Sequence, residues 1–416
     1  MPARRPRRHR PDAGEGRRHR RLRNPARRRA AVARWLKALA ALLPLAAPAL
    51  AEPQALSSGA IRVATFNASL SRPAPGQLVQ ELRLGRSTQI AAVVEIIRRV
   101  RPDILLINEI DHDPRGVAAA LFAEALRDGP DGVDYPHVFL APVNTGLQTG
   151  FDLDGDGETG PRDAYGYGRH EGHYGMVLFS RFAVGPARTF QTLPWAAMPG
   201  NLMPEAYYPP EAEPLLRLSS KSHWDVAVET PGGRLRILAS HPTPPVFDGP
   251  ERRNARRNHD EIRFWVDYLN GAGWMTDDAG RAGGFDAFAD GAAEEPFVLL
   301  GDLNVDPEDG DGMRDALARL LAHPRVVDPR PASAGAAADP DPDHRGDPAL
   351  DTAAFRRDPG PGHLRVDYAL PSRDLAVHGA GVFWPAPDDP LRRLVGEGRP
   401  VVSSDHRLVW VDVSPP

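Results

Sequence analysis

The chain has 416 residues, 41% apolar and 25% charged, which is the make-up of an ordinary globular protein with material for a large core. It contains no cysteine, so disulfides, thiolate nucleophiles and cysteine-held zinc or iron–sulfur centres are excluded, and any metal must rest on oxygen and imidazole ligands. The net charge of −4 hides an asymmetry: residues 1–51 carry 15 Lys and Arg against 2 acids, and residues 52–416 carry 36 against 53. A body of net charge −17 is poorly suited to tight non-specific binding of a polyanion, in which phosphate contacts dominate.

Residues 1–35 are Arg-rich and lack an apolar period. A short apolar segment, Leu36 to Pro48, and the small-x-small pattern Ala49-Leu50-Ala51 follow, completing a secretory signal peptide. Cleavage is expected after Ala51, giving an exported chain that is secreted or periplasmic. Arg27-Arg28-Arg29 also fits a weak twin-arginine signal, and a start near Val32 would give a signal of ordinary length. No later apolar run is long enough for a stable membrane span.

Ile61 to Asn67 reads as a strand ending on Asn67. Ser87 is an N-cap for a helix with Ile90, Val93, Val94, Ile97 and Val100 on one face, stopped by Pro102. Asp103 to Glu109 is a buried strand with an acid at its end. A helix over 115–127 and a strand from Tyr135 to Leu140 follow. Asp152, Asp154, Asp156 and Gly157 match positions 1, 3, 5 and 6 of a calcium loop, with Asp163 at position 12. A solvated acidic turn is the alternative, since no helix pattern precedes the loop and Pro161 interrupts it.

Gly175 to Arg181 is a further buried strand. Residues 190–217, rich in Pro, Tyr and Trp, read as a long loop with a substrate-covering role. Trp224 to Glu229 and Leu235 to Ser240 form a hairpin across Pro231-Gly232-Gly233, and His241 ends the second strand. Residues 251–270 form a helix with a solvated Arg-rich face. Phe297 to Leu300 is an apolar strand running into Gly301-Asp302-Leu303-Asn304, where Gly301 permits a tight turn. Residues 311–322 are helical, 331–361 form an Ala/Pro/Asp/Gly-rich loop, Arg365 to Leu370 is a strand carrying Asp367, and Ser404-Asp405-His406 precedes a closing strand over 407–413. No internal repeat is present.

Asn67, Glu109, His241, Asp302, Asn304, Asp405 and His406 stand at strand ends, with Asp367 inside a short strand. Ligands in α/β sheets collect at strand ends. Carboxylates and amides suit Mg²⁺ or Mn²⁺, and two histidines with acid neighbours suit phosphoryl chemistry. No Gly-rich phosphate loop, serine elbow or HExxH is present.

In this order the motifs Ala64-Thr65-Phe66-Asn67, the strand ending at Glu109, Gly175 to Arg181, Ser240-His241, Gly301-Asp302-Leu303-Asn304, Arg365-Val366-Asp367-Tyr368 and Ser404-Asp405-His406 resemble the endonuclease/exonuclease/phosphatase superfamily of metal-dependent phosphoesterases. The resemblance spans roughly residues 60–414. It implies an α+β fold, two mixed β-sheets packed face to face with helices outside, in a four-layer α/β/β/α sandwich. It replaces the two or three domains that length alone predicts with one, over 52–416, with inserts near 145–172, 190–217 and 331–361. It makes Glu109 the main metal ligand, supported by Asn67 and Asp405. Asp302 and Asn304 handle the attacking water, His406 with Asp367 stabilises charge on phosphate, and His241 assists the leaving group. The implied activity is metal-assisted attack of water on a phosphoester. A secreted nuclease, a lipid phosphodiesterase and a non-catalytic calcium-dependent binding module are the alternatives, and no protein partner is indicated.

Overall fold

The computed structural model describes residues 56–288, 295–397 and 400–414. The Arg-rich segment and the expected signal peptide lie outside these residues. In chain order the first half holds β1 (Ile61–Leu70), α1 (Gln77–Leu84), α2 (Thr88–Val100), β2 (Ile104–Ile110), α3 (Val117–Arg127), β3 (His137–Phe139), β4 (Gly175–Ser180), β5 (Ala183–Thr189), β6 (His223–Thr230) and β7 (Gly233–Ser240). The second half holds α4 (Arg253–Leu269), β8 (Phe297–Asp302), α5 (Asp315–Leu321), α6 (Ala334–Ala337), β9 (Ala353–Ala354), β10 (His363–Leu364), β11 (Asp367–Pro371), β12 (Ala376–Val382) and β13 (Val409–Ser414).

The strands build two mixed sheets. One has the order β12-β13-β1-β2-β4-β3, the other β11-β8-β7-β6-β5. Each has a parallel pair at its centre, β1 with β2 and β7 with β8, and antiparallel neighbours on both sides. Alternation along β8 shows how the layers form. Val298 and Leu300 join Ile237, Ala239 and the first sheet in one apolar core, while Phe297 and Leu299 join Phe264, Trp265 and Tyr268 of α4 in another. Each such fully buried side chain contributes about 1.5–3 kcal/mol relative to exposure. Helices therefore cover the outside and side chains of both sheets fill the middle, as the resemblance implies.

Several local expectations need correction. β1 runs on to Leu70, so Asn67 lies inside the strand rather than at its end. Gly301 also lies within its strand. A Cβ there would sit 2.0 Å from the Ser240 carbonyl oxygen of the neighbouring β7, so glycine is needed for close approach rather than for a turn. Residues 190–217 are also more than a loop: Phe190, Leu193, Trp195, Met198 and Leu216 are buried with α4 and anchor the segment as a strap on that helix. The arginines of α4 are not simply solvated. Arg257 donates to Leu218 O and Arg217 O, and Arg263 to Pro199 O and Gly200 O, pinning the same strap.

Candidate active site

The parallel pairs determine where the chemistry collects. Asn67 stands beside Asn108 in the C-terminal halves of β1 and β2, with Glu109 next. In the other sheet Ala239 pairs with Leu300, so His241 and Asp302 emerge together, and Asp302 faces Asp367 across β8 and β11. The two ends meet: the Asn67 amide donates to Asp302 Oδ2 at 3.0 Å, across 235 positions of sequence. Ser404 ties in the last segment, donating to Asn67 O at 2.7 Å and accepting from His406 N at 3.0 Å.

His406 Nδ1 donates to Asp367 Oδ2 at 2.9 Å, which leaves Nε2 at 3.6 Å from Asp302 Oδ2. Burial opposes a charge on this ring, but Asp367, Asp302 and Asp405 overcome it and hold its pKa up at about 10. His406 is thus an imidazolium at neutral pH. Asp367 is oriented by Thr352, whose hydroxyl donates to the same Oδ2 at 2.9 Å. His241 is the opposite case. Burial, then the charges of Lys221 and His406, push its pKa well below the usual value, so it is neutral, with Nε2 at 3.5 Å from Asp302 Oδ2.

Asp302 is buried and its carboxyl is pushed up to about 6, by desolvation above all and by Asp367, against His406 and the Asn67 amide. Asn304 N donates to Asp302 Oδ1 at 2.9 Å and its amide to Pro242 O at 3.0 Å. Glu109 is half-buried. Its carboxyl is raised by burial and by Asp302 and Asp405, against His406 and Asn67. Glu109 (φ 59°) and Asn304 (φ 56°) are both left-handed, local strain of the kind concentrated at functional sites.

All eight residues expected at the centre therefore fall around one mouth. Asp405 is half-exposed beside Ser69, and an open groove of about 440 Å³ lined by Ser69, Arg72, Gln89, Ser403 and Asp405 leads away from it. Ligand atoms of Asp302, Asp367 and His406 lie within 4.8 Å of one another, a cluster explained by the acid–imidazole pairing. The donor set that fits a hard divalent cation is Glu109 with Asn67 and Asp405: oxygen ligands, with neighbouring acids whose charges raise the Glu109 carboxyl. The expected calcium-loop acids are not at this mouth. Asp152, Asp154 and Asp156 cluster in the insert between β3 and β4, while Asp163 is bound separately to Leu153 N and Gly160 N.

A family model described as Endonuclease/Exonuclease/phosphatase family matches residues 64–406. The chain belongs to that family. It is a phosphoester hydrolase. Among solved structures, a family member from Beutenbergia cavernae is 21% identical, with 86% of this chain and 72% of that one covered and a TM-score of 0.48. The human Nocturnin catalytic domain with bound sulfate is 16% identical, with 86% and 94% covered and a TM-score of 0.43. Truncated Caenorhabditis elegans TDP2 is 14% identical, with 86% and 99% covered and a TM-score of 0.41. No curated protein matches.

Sequence reasoning missed several titratable residues that the fold brings near these side chains. Lys221 is 5% exposed, faces Glu261, Glu109 and Asp302 electrostatically, and donates to no protein acceptor among the described residues. Burial lowers its pKa. A compositional signal was present: Lys37 and Lys221 are the only lysines, all other basic side chains being arginine. Asp111, His170 and His173 form a second cluster, its acid two residues after Glu109 in sequence. His170 Nδ1 and Nε2 lie 3.1 Å from Glu171 O and Arg72 O, and His173 Nδ1 accepts from Arg169 N, so the rings are tied to backbone, in one case that of the groove residue Arg72.

Proposed function

We propose that the protein is an exported, metal-dependent phosphodiesterase or phosphatase acting on small or mixed phosphoesters, with residues 1–51 removed as a signal peptide and 52–416 working as one domain. The observation that carries this reading is the joining of the two sheet ends, Asn67 to Asp302 and Asp302 to His406. It sets a raised carboxylate against a fixed imidazolium in one buried mouth. Glu109, Asn67 and Asp405 would hold Mg²⁺ or Mn²⁺, which when bound polarises the phosphoryl group and offsets its charge.

Asp302, near 6, takes the proton of the attacking water, with Asn304 fixing its carboxylate through the backbone. Water attacks phosphorus as the ester P–O bond breaks in line. His406, already charged and held by Asp367, donates from Nε2 to the phosphoryl oxygen that gains charge. Lys221, 5% exposed and beside Glu109 and Asp302, supplies a second cation to the same oxygens. His241, neutral, is a hydrogen-bond donor to the leaving oxygen and not an acid of full charge.

The acidic body favours small esters over a long polyanion. No helix among the described residues is long and apolar enough to cross a membrane. The test is hydrolysis of bis-p-nitrophenyl phosphate, p-nitrophenyl phosphate and plasmid DNA with EDTA, Mg²⁺, Mn²⁺ or Ca²⁺. Turnover of the small esters that EDTA abolishes and Mg²⁺ or Mn²⁺ restores is expected. Activity on DNA alone would make the protein a nuclease, and metal-independent turnover would overturn the mechanism.

A further inference from the structure

The insert between β3 and β4 carries acids that the catalytic centre does not use. The carboxylates of Asp152, Asp154 and Asp156 offer oxygens within 4.8 Å of one another. Like charges at that spacing repel. Backbone donors offset part of this: Asp152 accepts from Gly155 N at 2.7 Å and Gly157 N at 2.8 Å, and Asp156 from Glu158 N at 2.9 Å. Asp154 is different. Its side chain is only 9% exposed, Oδ2 meets Arg162 Nη1 at 3.4 Å, and Oδ1 is buried with no hydrogen-bond partner. A carboxylate oxygen withdrawn from water without a donor is costly, and a cation among the three acids would supply what it lacks.

We infer that residues 152–163 form a calcium site, with Asp152, Asp154 and Asp156 as side-chain ligands. The donors are all oxygen, with no imidazole in the group, which selects a hard cation. Ca²⁺ accepts irregular, flexible oxygen cages, whereas Mg²⁺ demands near-octahedral geometry and keeps its water. Gly157 holds φ 86° at the sixth position, where such loops turn sharply, and the Glu158 carbonyl occupies the seventh, where they contribute a backbone oxygen. Asp163, at the twelfth, is a clasp. Its two oxygens accept from Leu153 N and Gly160 N, both at 2.7 Å, and close the loop on itself. A loop whose last acid is committed in this way lacks the usual strong final ligand, so affinity falls in the weak range of such modules, about 10⁻⁵–10⁻³ M.

The site has a structural address. Below the clasp, Thr149 N donates to Asp163 O and Gly146 N to Gly166 O. Lower still, Asn144 N donates to Lys221 O at 3.0 Å and its amide to Ser219 O at 2.8 Å. Calcium at the tip thus stiffens a strap whose base holds the segment carrying Lys221.

Calorimetric titration of the metal-stripped full protein with Ca²⁺, and limited proteolysis of the 141–174 insert, test the inference. Wild type and Glu109→Gln should both show the loop's Ca²⁺ site, with millimolar or better affinity, whatever Ca²⁺ wild type also takes at Glu109. Asp154→Asn/Asp156→Asn should bind Ca²⁺ at the loop at least tenfold more weakly. Ca²⁺ should protect the insert of wild type from cleavage where equal Mg²⁺ does not, a comparison that needs no variant. Equal binding by Asp154→Asn/Asp156→Asn, or equal protection by Mg²⁺, would overturn it. Because Glu109→Gln removes the proposed catalytic ligand and leaves the loop intact, failure of the calcium site and failure of the catalytic reading are separable.

Discussion

The mouth around Asp302 and the loop around Asp163 use the same side chain in opposite ways. Both carboxylates are 1% exposed. Asp163 is satisfied by backbone N–H groups at most ten residues away. Asp302 takes one local N–H and otherwise faces Asn67, His241 and His406, brought from distant parts of the chain. Local donors commit a carboxylate to holding its own loop together. Distant partners that are themselves ionisable leave it raised and available for proton transfer.

The sharpest way to break this contrast is at the mouth. His406→Ala or Asp302→Asn should lower kcat/KM on bis-p-nitrophenyl phosphate by about 10²–10⁴-fold. The melting temperature should barely move, and near-normal turnover in either variant would remove these residues from the chemistry. Lys221→Met should cost less, about 10–100-fold, mostly in kcat, since one charge-assisted contact to phosphate is worth about 1.5–3 kcal/mol. Partial recovery in Lys221→Arg, read in kcat, would separate a charge from a packing role.

Asp163→Ala should do the reverse of Asp302→Asn. The buried Leu153 N–H loses its acceptor at about 1–3 kcal/mol and the half-buried Gly160 N–H loses its own at a smaller cost, so thermal melts shift while kcat on small esters stays within a few-fold.

The smallest effect concerns Asp351, which belongs to neither pattern. Burial and then Asp306, Asp341, Asp309 and Asp347 push its carboxyl up to about 8. The folded state therefore holds a proton that the unfolded chain releases near pH 4. Stability from this group is full below about pH 4 and is lost as pH rises to about 8. Asp351→Asn should melt a few degrees above wild type at pH 8.5, with the gap closing towards pH 5. A gap independent of pH would refute the assignment.

The parts of the fold legible in sequence were those written in local apolar pattern. β8 and α2 announce themselves by period, and Ser87 caps α2 as expected, accepting from Ile90 N. The edge strands β5 and β12 do not. Pro186 and Gly185 interrupt one, Gly379 and Gly381 the other, and both pair through bulges. At the site, residues within short motifs were visible, such as Asp302 with Asn304. Thr352 and Lys221 were not, because each acts through a partner far along the chain: Thr352 on Asp367, Lys221 on Glu109 and Asp302. Arg257 and Arg263 misled for the same reason, since their acceptors are carbonyls of a strap that no helical period reveals.

The bond from Asn67 to Asp302 also carries a kinetic consequence. One end belongs to the sheet that holds β1 and β2, the other to the sheet that holds β7 and β8, and the two residues are 235 positions apart. The pairing of β1 with β13, Ile61 opposite Val413, spans still more of the chain, and contacts of such separation close late in folding. During refolding from denaturant, secondary structure should return before hydrolysis does. A half-assembled chain is then a compact body without catalytic power, and the lag between the two signals measures the docking of one sheet on the other.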